Sequence, residues 1–87
     1  MSERRKKAVA LSYDQMKDLS PKVSALGSGK VADHIIELAA EHDIPIVQDQ
    51  SLVEILAQLE INETIPPELF EIVAEVFAFI YHLDEEY

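Results

Sequence analysis

The chain has no cysteine and no tryptophan, only two glycines, and no lysine or arginine beyond residue 30. Without cysteine there is no disulfide framework and no thiolate nucleophile or metal ligand. No apolar run approaches the roughly 20 residues that span a bilayer, so direct membrane insertion is not expected. The opening is basic (Arg4, Arg5, Lys6, Lys7), but the apolar stretch behind it, residues 8–11, is too short for a signal-peptide core. With no targeting segment, the expected location is the cytoplasm. A length of 87 residues allows one domain with a modest core. At 48% hydrophobic residues the chain is too apolar for a disordered polyelectrolyte.

The net charge of −10 is unevenly spread. Residues 1–30 carry seven cations and three anions, a net +4, whereas residues 31–87 carry 14 acids and no lysine or arginine, a net −14. Most of the domain would repel a nucleic-acid backbone, so no nucleic-acid partner is expected. Anionic lipid is disfavoured for the same reason, the N-terminal arm excepted.

The pattern of apolar residues divides the chain into short elements. Val9, Leu11 and Tyr13 alternate with Ala8, Ala10 and Ser12, as in a half-buried strand. A second strand is expected over Pro21–Leu26, opened by the proline and closed by Gly27 and Gly29. From Lys30 to about Asp43 the period becomes helical. Val31, Ile35, Leu38 and Ala39 form the apolar stripe with Ala32 and Ile36 beside it, and Ser28 is the candidate cap. Ile44–Val47 reads as a short strand buried on both faces, with Pro45 as an objection. Ser51 and Glu54 fit a capping box that opens a helix to about Glu60. Pro66 and Pro67 open the last helix, whose stripe is Leu69, Ile72, Val73, Val76, Phe77 and Ile80. The expected fold is α/β, a small mixed sheet in the order strand-strand-helix-strand-helix-helix, covered by helices. Residues 1–7 are a flexible basic arm, 8–83 the domain, and 84–87 an acidic tail that frays at the wrong end of the helix dipole.

Chemistry-bearing motifs are weak. Ser24 to Lys30 imitates a phosphate loop, but Ser24 stands where glycine is needed and Val31 where a magnesium-binding hydroxyl is needed. His34, Glu37 and Glu41 share a helix face, but His42 lies about two turns from His34 and cannot join it on one ion. No Gly-x-Ser-x-Gly elbow is present. Neither an enzyme active site, a metal nor a cofactor is expected. Among the aromatic residues of the last helix, Phe79 and Tyr81 fall off the apolar stripe and are the expected exposed pair.

Taken together, Ala8-Val-Ala-Leu-Ser-Tyr-Asp14, Ser20-Pro-Lys-Val23, Gly27 to Ala32, Ile35-Ile-Glu-Leu-Ala39, Glu41-His-Asp-Ile-Pro-Ile-Val47, Leu52, and Ile65-Pro-Pro-Glu68 running into Val73-Ala-Glu-Val76 and Tyr81 resemble the C-terminal cytoplasmic domain of the FlhB/YscU family. These are the export-gate proteins of flagella and type III secretion systems. The resemblance spans about residues 8–83 and lacks the family's transmembrane portion, so a free-standing homologue is expected. It implies a non-catalytic interaction module that docks export substrates, export-apparatus proteins or the length-control ruler protein. Pro21 and Lys22, which match a family segment, are candidate contacts, followed by Phe79 and Tyr81. The resemblance also implies a strand upstream of the first one. Its absence here would leave the edge of Val9, Leu11 and Tyr13 open to a partner's extended segment, or covered by the basic arm. The alternative functions are a dimerising cytoplasmic domain with no export role and a small ligand-binding domain.

The family's self-cleaving Asn-Pro-Thr-His motif falls on Glu3, Arg4, Arg5 and Lys6. Glu3 has no amide nitrogen to attack its own carbonyl, so the chain is expected to stay whole. Intact mass should be unchanged after prolonged incubation; a fragment beginning at Arg4 would contradict this.

Overall fold

The computed structural model describes residues 6–14, 16, 17 and 20–85, the last five of them by backbone only. Most of the expected basic arm, the end of the acidic tail and the side chain of Tyr81 lie outside the described residues.

Alternating side chains produce two antiparallel strands, β1 (Lys7–Ser12) and β2 (Lys22–Ser28). Lys7 lies opposite Ser28 and Ser12 opposite Lys22. The register shifts between Ala10 and Leu11, which leaves Ser24 as the extra residue of a bulge; its hydroxyl donates to the Ala10 carbonyl at 3.2 Å. The bulge keeps two side-chain sets apart. Val9, Leu11, Val23 and Leu26 share one face of the hairpin, and Ala8, Ala10, Ala25 and Gly27 share the other.

Helix α1 (Lys30–Glu41) packs on the small-residue face. A Cβ built on Gly27 would overlap the Val31 Cγ1, stand 2.8 Å from the Val31 Cβ and touch Ile35. Glycine is therefore required there by space. Ala32 is fully buried, Ile35, Ile36 and Ala39 are half-buried, and Val31 and Leu38 are exposed. The helix is thus rotated from the expected stripe. Ala32 is the fully buried contact of the helix, Val31 lies over Gly27 with its outer side open to water, and Leu38 falls to the flank. Ser28 ends β2 and does not cap this helix; the cap position is Gly29, at φ 63°, with no side-chain bond. At the other end the Ile44 N–H donates to the Ala39 carbonyl and the Asp43 N–H to that of Ala40, with Asp43 at φ 58°. This is a Schellman stop built on a non-glycine residue.

Ile44–Val47 is not a strand. Its side chains are exposed, Ile44 by 55%, and among the described residues only the Ile44 N–H reaches a backbone acceptor. Pro45 removes one ladder donor, and a sheet of two strands is too narrow to bury a further strand on both faces. The start of β2 is occupied instead by residues 62–65. The Val23 N–H donates to the Glu63 carbonyl at 2.9 Å, Asn62 N–H to Val23 at 2.7 Å, and Ile65 N–H to Pro21 at 2.9 Å. Sequence pattern marks residues 62–65 only as a link.

Helix α2 (Gln50–Leu56) is capped by Asp49, whose carboxylate accepts from the Leu52 N–H at 3.0 Å. The expected Ser51 box is displaced because Asp49, two residues earlier, is an equally good cap and still turns Leu52 and Leu56 inward. A 3-10 turn at Pro67–Leu69 leads into α3 (Phe70–Glu85). Val23, Leu52, Leu56, Ile65 and Val73 form the core, packed against Val9, Leu11, Leu26, Leu59, Leu69, Val76 and Phe77. The hairpin therefore separates this core from α1.

Two substitutions test this arrangement by urea unfolding. Gly27→Ala should destabilise by about 1–3 kcal/mol, because the new methyl enters the space of Val31. Asp43→Gly should stabilise by about 0.5–1 kcal/mol by relieving a left-handed conformation.

Candidate functional site

Pro21 stands at the entry to β2, its carbonyl accepting from the Ile65 N–H, and Tyr13 directly follows β1. Antiparallel pairing brings both to the same end of the hairpin. Across from them runs the first half of α3. Phe70, Ala74, Phe77 and Ala78 recur at helical spacing, so they share one face, with buried Val73 beneath. Tyr13, Ser20 and Pro21 on one bank and these α3 residues on the other enclose an open groove of about 370 Å³. The rings of Tyr13 and Phe77 meet across it at 6.1 Å, tilted by 48°.

Among the described residues the lining is apolar, and its polar side-chain groups are the hydroxyls of Tyr13 and Ser20. Among the described residues it presents no carboxylate, imidazole or amine for proton transfer or nucleophilic attack. What it offers is apolar surface in water: Phe70 is 44% and Tyr13 38% exposed. Ala74 and Ala78 are exposed too, and their short side chains are what leaves the space open. Such a groove accepts apolar side chains and orients them little.

Of the sequence-predicted residues, Tyr13 and Pro21 come together here. Lys22 follows Pro21 into β2, is half-buried and bridges to Thr64. Val9 and Leu11 turn their side chains to the core, leaving only their backbone edge available. Phe79 is 57% exposed, as expected, but is not part of the groove. Ser20, Phe70, Ala74, Phe77 and Ala78 are not among the residues that the sequence reading marks as a site. The available signal was the recurrence of phenylalanine and alanine at positions 70, 74, 77 and 78, a large-small face inside an otherwise apolar stripe.

Elsewhere, His34, Glu37 and Glu41 all lie exposed on α1, and among the described residues no three His, Cys, Asp or Glu side chains are grouped to hold a metal. Among the described residues no helix is long and apolar enough to cross a membrane.

The hairpin and its helices form the small α/β fold seen in the EscU C-terminal domain and the FlhB cytoplasmic domain. The chain belongs to the FlhB/HrpN/YscU/SpaS family, whose pattern matches residues 5–80. It is 51% identical over 80 residues to YlqH, an uncharacterized protein of Bacillus subtilis strain 168, covering 92% of this chain and 86% of that protein. It is 42% identical over 77 residues to the flagellar biosynthetic protein FlhB of Salmonella typhimurium strain LT2, covering 87% of this chain but 20% of FlhB. The chain therefore spans about a fifth of the FlhB proteins it matches. The crystal structure of the FlhB cytoplasmic domain from Shewanella putrefaciens superposes with a TM-score of 0.89 at 34% identity, covering 92% of this chain and 63% of that one. A mutated EscU C-terminal domain gives 0.84 at 28% identity, over 87% of this chain and 93% of that one.

Proposed function

We propose that this domain is a non-catalytic docking module of the flagellar or type III protein-export apparatus, working in the cytoplasm. Its groove takes up a short apolar segment of an export substrate or of a length-control protein. The observation that carries this reading is the open groove of about 370 Å³, lined by aromatic rings and alanines, on a family member whose overall charge is −10. An apolar hollow on so charged a surface is unfavourable to leave in water and is a natural seat for an apolar anchor. Tyr13 and Pro21 form one wall and Phe70, Phe77 and the α3 alanines the other. Lys22, the next residue after Pro21, opens β2 beside this wall. Family membership supports the class of partner, and the chemistry of the lining supports a partner recognised by shape and apolar contact. No bond is made or broken in this role, and with Glu3 at the position of the family asparagine the domain acts uncut.

Ala74→Glu and Ala78→Glu place a carboxylate in the groove without touching the core, since both positions are exposed. Each should leave the thermal midpoint within a few degrees of the parent and weaken binding of purified export substrates at least about tenfold by calorimetric titration, the cost of burying an unpaired charge. Phe79→Ala should leave that affinity unchanged. Undiminished binding by both glutamate variants would overturn the assignment of the groove.

A further inference from the structure

The connection from α1 to α2 forms the longest exposed run among the described residues, with every residue from 40 to 51 exposed. The Ile44 N–H closes the end of α1 on the Ala39 carbonyl, and Asp49 caps α2. Between them the backbone is bare. Among the described residues the N–H groups of Ile46, Val47 and Gln48 reach no backbone acceptor, and the carbonyls of residues 44–48 receive no backbone donor. Pro45 has no N–H to offer. Other loops are tied down. The turn after Tyr13 is closed by the Lys17 N–H on the Asp14 carbonyl, and residues 62–65 are fastened to β2.

An endopeptidase needs this kind of backbone. Its cleft holds the substrate as an extended chain by that chain's own N–H and C=O groups, so those groups must be free of the fold. Residues 44–48 meet the condition in the folded state, with no unfolding required. Composition selects the class of enzyme. No lysine or arginine lies beyond residue 30, so a protease that cuts after cations has no target here. Ile44, Ile46 and Val47 offer exposed aliphatic side chains instead, at 55%, 47% and 40%. Within this stretch Ile46–Val47 is the bond that joins two aliphatic residues without involving proline.

A cut at that bond divides what the fold joins. The hairpin and α1 lie before it, and α2, Ile65 and α3 lie after it. Val23 from the first part meets Leu52, Leu56, Ile65 and Val73 from the second in one core. Backbone bonds from residues 62–65 to Val23 and Pro21 also cross the division. The groove is divided too, with Tyr13, Ser20 and Pro21 on one part and the α3 residues on the other. While the connection is whole, these contacts are intramolecular. Once it is cut, they depend on concentration.

We propose that the connection is a cleavage site for an endopeptidase selective for aliphatic side chains, and that cutting Ile46–Val47 is the step that dismantles the groove. Water adds across the peptide bond, leaving a carboxylate on Ile46 and an ammonium on Val47. The pieces 1–46 and 47–87 then hold together by mass action alone, and dilution parts the two banks. The site lies outside the groove and stands whatever the groove binds.

The test uses the full folded chain and thermolysin, which cuts before aliphatic residues. The first products by mass should be 1–46 and 47–87. Val47→Asp should slow cutting at that bond at least about tenfold, because a carboxylate then stands where the cleft takes an apolar side chain. Ile65→Val, a mild core change that raises the unfolded population several-fold, should leave the rate of the first cut unchanged. The thermal midpoint of the cut protein should fall on dilution from about 500 to about 5 μM, while that of the intact protein stays fixed. A first cut elsewhere, or equal cutting of Val47→Asp, overturns the proposal. So does faster cutting of Ile65→Val in step with its lost stability, which would place the protease on the unfolded chain. A cut protein whose midpoint ignores dilution overturns it as well, since the groove would then survive the cut.

Discussion

Gly27 sits where even a methyl group would strike Val31, and that exclusion organises the domain. It lets α1 lie directly on the alanines of the hairpin, which leaves the branched side chains of Val9, Leu11, Val23 and Leu26 free to face the other way. Those residues then need cover, and α2, α3 and the segment around Ile65 supply it. One hairpin thus serves two unlike contacts, a close one held by small residues and a deeper one held by apolar volume. The bulge at Ser24 is part of the same arrangement. Without the extra residue, Val23 would change faces and the core would lose one of its fully buried members.

The groove follows from this geometry. Because the core lies on one face only, α3 crosses at the end of the hairpin where Tyr13 and Pro21 emerge. Its large-small face, Phe70 and Phe77 against Ala74 and Ala78, cannot be filled by two short strands. Helix packing normally buries such a face against a neighbour. Here the neighbour is a tyrosine and a proline, and the remaining space is open to water. Among the described residues the groove is therefore an apolar seat, lined by rings, alanines, a valine and a proline.

Much of this is legible in the amino-acid sequence. Strict alternation over residues 8–13 marked β1, the change of period at Lys30 marked α1, and the paired prolines marked the start of the last helix. The family resemblance rested on the order of many short segments, and the family match over residues 5–80 agrees with it. What failed, failed for local physical reasons. Ile44–Val47 has the composition of a buried strand, but composition does not supply the neighbours a buried strand needs, and Pro45 withholds a donor. Ser51 lost the cap to Asp49 because two adequate caps stood two residues apart, and only the direction of Leu52 and Leu56 decided between them. The rotation of α1 was set by the surface opposite it, which periodicity within the helix cannot report. The pairing of residues 62–65 with β2 left no sequence mark, since it uses backbone groups alone. For the site, Tyr13 and Pro21 were anticipated, whereas Ala74 and Ala78 were not, because an alanine draws attention only when the void it leaves can be seen.

That pairing of residues 62–65 with the start of β2 bears on how the domain forms. It fastens two stretches about 40 residues apart in the chain, so a loop of that length must close before Ile65 and Val23 enter the core together. The hairpin and α1 are built from neighbours in sequence and form early at little entropic cost. The clasp is the late, long-range event, and α3 follows directly after it in the chain. The side of the molecule that carries the groove is therefore the last to be assembled, and it inherits its shape from the slowest contact in the fold.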